Sequence, residues 1–91
     1  MTTFTTTDIQ GLGELLAIAN DGLSLEDLHP NMAARHLGLA NHLATSGIPR
    51  DAHAIAEAIA LDVEDAGDID QIAPWIFVRH LDTADDVLKR F

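Results

Sequence analysis

Residues 49–67 read PRDAHAIAEAIALDVEDAG and carry the clearest helical pattern in the chain. Apolar side chains recur there at the i, i+3, i+4 and i+7 spacing that places them on one face of an α-helix. The members of this stripe are Ala52, Ile55, Ala56, Ile59, Ala60 and Val63. Proline is favoured in the first turn of a helix and glycine just after its end. The pattern therefore predicts a helix that starts at Pro49 and stops at Gly67.

Helix start and stop signals on either side of this stretch predict further helices. A first helix is predicted over residues 8–21, and a second from Pro30 to Ser46. A fourth helix is predicted from Pro74 to Leu81. After it, Thr83 and Asp86 are read as the cap of a last short helix that ends the sequence.

Two parts of the sequence resemble each other. Residues 16–37 align with residues 61–81 when one residue is deleted. The identities include Gly22 with Gly67, Pro30 with Pro74, Arg35 with Arg79, His36 with His80 and Leu37 with Leu81. A shared Arg-His-Leu at a fixed distance from a shared Pro favours an internal duplication over two unrelated helix starts.

These observations predict an all-α fold, a compact bundle of four to five helices built from two duplicated helical hairpins. With 91 residues, the chain is suited to one hydrophobic core. We therefore expect a single helical domain over residues 1–91. The first hairpin is predicted over residues 8–46, the second hairpin and the short C-terminal helix over residues 49–91, and a threonine-rich tail over residues 1–6.

The charge balance restricts the choice of partner. Fifteen Asp and Glu against five Lys and Arg give a formal charge of −10. Such a field disfavours direct contact with nucleic acid or with an anionic membrane surface, and favours a protein that carries a basic surface. No stretch approaches the roughly 20 apolar residues that span a bilayer, and the first residues do not resemble a secretion signal. We expect a cytoplasmic protein.

The sequence contains no pattern that specifies a catalytic or metal site. It has no cysteine, which excludes disulfides and thiolate chemistry. His36 and His80 fall within apolar helix stripes, where a histidine is usually a hydrogen-bonded core residue. The five histidines form no HExxH or similar ligand spacing. We therefore expect no catalytic residue, no metal and no cofactor, and a protein that is not an enzyme.

The difference between the two aligned segments indicates a binding site. Five carboxylates and no cation lie between residues 62 and 70, and the first segment has no such run. Trp75 and Val78 stand where the first segment has Asn31 and Ala34, and fall beside Arg79 on the side opposite the His80 stripe. The predicted partner-binding residues are Asp62, Glu64, Asp65, Asp68, Asp70, Trp75, Val78 and Arg79.

Two classes of function are compatible with this pattern. The first is a small acidic protein-binding module, an inhibitor or regulator that docks on a basic protein surface, including one made for nucleic acid. In size and charge the chain is similar to DNA mimics and anti-CRISPR proteins, although it shares no motif with them. The alternative is a homodimeric structural or assembly module that buries Trp75 against a second copy and uses its acidity only for solubility.

Overall fold

The computed structural model describes residues 6–91, and helices account for most of them. Four α-helices are present: α1 (Ile9–Asp21), α2 (Pro30–Thr45), α3 (Ala52–Val63) and α4 (Pro74–Arg90). This confirms the all-α class. The described residues divide into two compact units, which we call the first hairpin (residues 6–47) and the second hairpin (Ile48–Phe91). Of the predicted tail, only Thr6 lies within the described residues, where it begins a 3-10 turn, Thr6–Asp8.

The first hairpin consists of α1 packed against α2, joined through a short 3-10 turn, Leu25–Asp27. Helix α1 is followed by its C-cap Gly22, which has the left-handed φ of 74°. Its N–H donates to the carbonyl of Ile18 at 3.0 Å, so the glycine closes the last turn without a Cβ clash. Helix α2 begins at the predicted proline, and the Nδ1 of His29 accepts a hydrogen bond from the backbone N–H of Asn31.

The buried side chains of the first hairpin form stripes along both helices. The apolar ones on α1 and α2 are Leu12, Leu15, Leu16, Ala17, Leu39, Ala40, Leu43 and Ala44. Gly13 is also buried, and a Cβ at this position would lie only 2.8 Å from the Cδ2 of Leu37. Glycine thus lets Leu37 of α2 approach the backbone of α1.

Helix α3 of the second hairpin is shorter than its sequence predicts. It begins at Ala52 rather than at Pro49, because the Asp51 carboxylate accepts the N–H of Ala54 at 3.0 Å and acts as the N-cap. Its buried residues are Ile55, Ala56, Ile59 and Ala60, all within the predicted stripe.

The end of α3 also differs from the prediction. The helix ends at Val63, and Asp65, not Gly67, adopts the left-handed φ of 52°. The N–H of Ala66 donates to the carbonyl of Leu61, and the N–H of Asp65 donates to the carbonyl of Asp62. This is the hydrogen-bond pattern of a Schellman ending, with aspartate in the place that glycine usually takes.

Gly67 instead starts the turn between the helices. Its N–H donates to the Oε1 of Gln71 at 3.0 Å, and the Oδ1 of Asp68 accepts the N–H of Asp70 at 3.2 Å. Both bonds satisfy backbone N–H groups on the N-terminal side of the 3-10 turn Ile69–Gln71, where Asp68 is the N-cap. The connection from α3 to α4 is therefore a capped turn.

Helix α4 is one continuous helix, and the prediction of a separate short C-terminal helix was wrong. Thr83 does not cap a new helix, because it is buried and its hydroxyl donates to the carbonyl of Arg79 at 3.2 Å. His80, Ala84 and Val87 continue one buried stripe across the predicted break. No glycine or proline interrupts the backbone between Pro74 and Arg90.

Candidate functional site: the outward face of the last helix

Helices α2 and α4 bury and expose matching positions. Each residue from Pro30 to Leu43 is buried, half-buried or exposed in agreement with the residue 44 positions later, from Pro74 to Val87. In this window the buried residues are His36, Leu39, Ala40 and Leu43 on α2, and His80, Thr83, Ala84 and Val87 on α4. The two helices therefore have the same inward positions and the same outward positions.

The buried histidine of each helix binds a carboxylate at the end of the preceding helix. The Nε2 of His36 lies 2.5 Å from the Oδ2 of Asp21, and the Nε2 of His80 lies 2.9 Å from the Oε2 of Glu64. Each histidine is 5% exposed. Asp21 is the last residue of α1, and Glu64 directly follows the last residue of α3. The two pairs thus hold the helices of each hairpin together, as expected for hydrogen-bonded core histidines.

The outward positions of α2 and α4 carry different side chains. On α2 they are occupied by Asn31, Ala34, Arg35, Gly38, Asn41, His42 and Thr45, which are mostly small or uncharged. On α4 the matching positions form the surface that we call the Trp75 face: Trp75, Val78, Arg79, Asp82, Asp85, Asp86 and Lys89. Trp75 is 73% exposed and Val78 is 53% exposed. The Trp75 face therefore presents an apolar group followed by charges of both signs.

The predicted site residues are exposed and fall into two groups. Trp75, Val78 and Arg79 lie together in the first two turns of the Trp75 face. The five carboxylates form the acidic segment, which runs from the last turn of α3 through the connection to α4: Asp62, Glu64, Asp65, Asp68 and Asp70.

Part of the acidic segment serves the fold. Glu64 binds buried His80, and Asp68 caps the turn before α4. Asp65 forms the left-handed ending of α3 through its backbone, and its side chain is exposed. Asp70 is also exposed, and its own N–H is bound by Asp68. Removing the charge of Asp65 or Asp70 therefore leaves the Glu64–His80 bond and the Asp68 cap intact.

Sequence reasoning missed three carboxylates of the Trp75 face, namely Asp82, Asp85 and Asp86. It ended the fourth helix at Leu81 and assigned Asp86 to a cap. The continuous helix places Asp82 about 10 Å and Asp86 about 16 Å from Trp75 along the axis, within about 20° of the same line. The uninterrupted buried stripe through His80, Ala84 and Val87 was the signal that could have revealed them.

The first hairpin also exposes large apolar side chains. Ile18 is 54% exposed and Leu23 is 47% exposed, close to the end of α1. Neither is aromatic, and scattered aliphatic side chains of this kind are normal on protein surfaces. Trp75 and Val78 differ from them because both sit on one helix face, one turn apart.

Other kinds of site find no support within the described residues. No group of three or more His, Asp or Glu side chains in residues 6–91 is arranged to hold a metal ion. None of the helices of this part of the chain is both long enough and apolar enough to cross a membrane. The chain matches no protein-family model, no curated protein and no solved structure.

Proposed function

We propose that this protein is a non-enzymatic binding module that docks on a basic surface of another protein and acts there as an inhibitor or regulator. The observation that carries the proposal is the exposure of Trp75 and Val78 on a helix face flanked by carboxylates. Trp75 and Val78 supply the apolar anchor, and the carboxylates of the acidic segment and of the Trp75 face supply charge complementarity.

The anchor is supported by the comparison of α4 with α2. Asn31 occupies the matching outward position on α2, so the helix framework does not itself need a large apolar group there. A tryptophan left 73% exposed keeps most of its surface in contact with water. Burial of such a side chain in a partner's pocket is a common source of binding energy, and tryptophan is enriched among the residues that dominate interfaces.

The basic partner is supported by the charge of the chain. The formal charge of −10, which includes the eight carboxylates of the acidic segment and the Trp75 face, favours attraction over long distances to a cationic surface. A protein surface that otherwise holds nucleic acid phosphates is basic in this way. The acidic segment then resembles a row of phosphates in charge, and docking on it would block that surface.

We also propose that the two hairpins arose by duplication. The matched exposure of α2 and α4 supports this history, as do the proline that starts each helix and the histidine–carboxylate pair in each hairpin. The functional surface then arose in the second copy by changes at outward positions, where they did not disturb the inward stripe.

Binding assays with Trp75→Ala test the anchor, with Asn31→Ala as the matched control on α2. Proteins captured by the immobilised wild type from the native cell are purified and measured one by one. We expect Trp75→Ala to weaken binding of the true partner by about 2 kcal/mol or more, and Asn31→Ala to leave it unchanged. If Trp75→Ala bound the partner as tightly as Asn31→Ala does, Trp75 would not be the anchor of the interface.

The association rate of the same partner tests the carboxylates. Asp65→Asn with Asp70→Asn should slow association several-fold at low salt, and the difference should shrink near 0.15 M salt, where the screening length is about 8 Å. Glu26→Gln with Asp27→Asn removes two charges from the first hairpin and serves as the control. If both double variants associate at the wild-type rate, the acidity serves only solubility.

A further inference from the structure

The three carboxylates of the Trp75 face are not used by the fold. The side chains of Asp82, Asp85 and Asp86 are exposed and form no hydrogen bond or ion pair with any other residue between 6 and 91. The acidic segment differs, because Glu64 binds His80 within the second hairpin. The carboxylates of α4 therefore remain available to the cations of another molecule.

The exposed side chains of the Trp75 face form one row along α4. Successive members are alternately three and four residues apart: Trp75, Val78, Asp82, Asp85 and Lys89. This is the spacing of the side chains that face a neighbouring helix in coiled coils. The row is about 21 Å long, because each helical residue advances about 1.5 Å along the axis.

A second helix matches this row in repeat length. The row repeats every seven residues, or about 10.5 Å, and a helix of another protein repeats over the same distance. An extended strand places a side chain on one side every ~6.7 Å, so its side chains fall out of register with the row. Two helices with such rows pack side by side at about 20°. The outward face of α2 has the same spacing, so the choice of α4 depends on its side chains.

The side chains of the row define the helix that would fit it. Trp75 and Val78 are apolar, the three carboxylates follow them, and Lys89 comes last. Complementarity then requires apolar side chains where the second helix passes Trp75 and Val78, and arginine or lysine where it passes the carboxylates. The outward face of α2 has no carboxylate and no apolar side chain larger than alanine, so the same argument does not apply to it.

We propose that the part of the partner bound by the Trp75 face is a single amphipathic α-helix, in which a pair of apolar residues lies next to a cluster of arginine or lysine. This inference rests on the proposed function and specifies which element of the partner makes the contact. The apolar pair packs on Trp75 and Val78, and the cations pair with Asp82, Asp85 and Asp86. The acidic segment lies outside the row and contributes attraction over distance.

Synthetic peptides on a background of alanine, glutamate and lysine test the helix without the natural partner. A row peptide of about 21 residues places leucines opposite Trp75 and Val78 and arginines opposite the carboxylates, and is made in both chain directions. A scrambled peptide of the same composition distributes these residues around the helix. A proline peptide keeps the row but has its helix broken at the centre. The anisotropy of a dye on each peptide measures binding at about 0.15 M salt.

One of the two row peptides should bind at least about tenfold more tightly than the scrambled and proline peptides, because only the intact helix brings its apolar and basic groups into register. Equal binding of the scrambled peptide would show that charge alone governs the contact. Equal binding of the proline peptide would show that an unfolded segment is sufficient. Either result would overturn the inference, as would the absence of binding by both row peptides up to about 1 mM.

Variants of the protein test the position of the helix. Asp82→Asn with Asp86→Asn should weaken binding of the row peptide at least about tenfold. Asp65→Asn with Asp70→Asn removes the same charge from the acidic segment and should change it by less than about twofold. Far-UV circular dichroism establishes that each variant retains its helices. Equal effects of the two double variants would overturn the placement on α4.

The remaining outcomes separate this inference from the proposed function. If Trp75→Ala weakens binding of the captured partner but no row peptide binds, the helix inference fails and the proposed function stands. If Trp75→Ala leaves binding of the captured partner unchanged, both fail. Self-association of the protein alone in sedimentation equilibrium, abolished by Trp75→Ala, would assign the face to a second copy and would also overturn the inference.

Discussion

Helices α2 and α4 share one pattern of buried positions but carry different side chains on their outward faces. Both begin with proline, place a histidine at the seventh position and bury matching residues. Their outward positions differ, because α2 carries Gly38 and Ala34 where α4 carries Asp82 and Val78. The inward positions are constrained by packing and hydrogen bonding, whereas the outward ones are free to change without loss of the fold. The change from Asn31 and Ala34 to Trp75 and Val78 lies at outward positions and therefore points to a role outside the fold.

The largest expected effect tests whether the two helices within each hairpin are held together in the same way in both hairpins. Asp21→Ala and Glu64→Ala each leave a buried imidazole without its carboxylate. We expect each to lower the free energy of unfolding by about 1 to 2 kcal/mol, because these carboxylates are about a third exposed and water can replace part of the lost bond. Urea unfolding followed by circular dichroism measures this.

Glu26→Ala and Asp70→Ala are matched controls for these variants. Both residues are exposed carboxylates in the 3-10 turns, 44 positions apart, and neither binds a histidine. Their effect should stay within about 0.5 kcal/mol. If only one of Asp21→Ala and Glu64→Ala proved destabilising, the two pairs would not be equivalent and the comparison between hairpins would fail there.

Two smaller effects, opposite in sign to each other, are expected where α1 and α3 end. Gly22→Ala places a Cβ on a left-handed residue and should cost about 1 kcal/mol. Asp65→Gly relieves the same conformation in the second hairpin and should gain a few tenths of a kcal/mol, because the flexibility of glycine in the unfolded chain offsets part of the relief. Thermal unfolding of both variants provides the measurement. Effects of equal sign would contradict the backbone argument.

An effect no larger than that of Gly22→Ala is expected on the outward face of α2. Gly38 is exposed within a helix, and a Cβ there would meet nothing within 4 Å. Gly38→Ala should therefore raise the free energy of unfolding by up to about 1 kcal/mol through helix propensity alone, and Asp82→Ala by somewhat less at the matched position of α4. Chemical denaturation resolves a change of this size. Destabilisation by Gly38→Ala would mean that the outward face of α2 is packed, contrary to its exposure.

Helix periodicity and prolines predicted much of the fold. Pro30 and Pro74 start helices in the structure as expected, and the stripe from Ile55 to Ala60 is buried. The same periodicity placed Trp75 and Val78 opposite the His80 stripe, where both are exposed. These features depend on local geometry, which a sequence pattern records directly.

Helix ends were less predictable, because they depend on competition between neighbouring caps. Asp51 outcompetes Pro49 as the start of α3, since its carboxylate binds a backbone N–H. Asp65 takes the left-handed position although Gly67 lies only two residues later. Thr83 was read as a cap, yet buried threonine can bond back to the carbonyl four residues earlier within a helix. That error concealed the carboxylates of the Trp75 face.

The exposure of the single tryptophan has a spectroscopic consequence. Most of the Trp75 side chain is already in contact with water in the folded protein. The wavelength of its fluorescence emission should therefore lie near that of the unfolded chain and change little on denaturation. The chain has no tyrosine to compensate. Intrinsic fluorescence is therefore a poor monitor of folding in this protein, whereas a blue shift on addition of another molecule would report contact with this one helix face against almost no background.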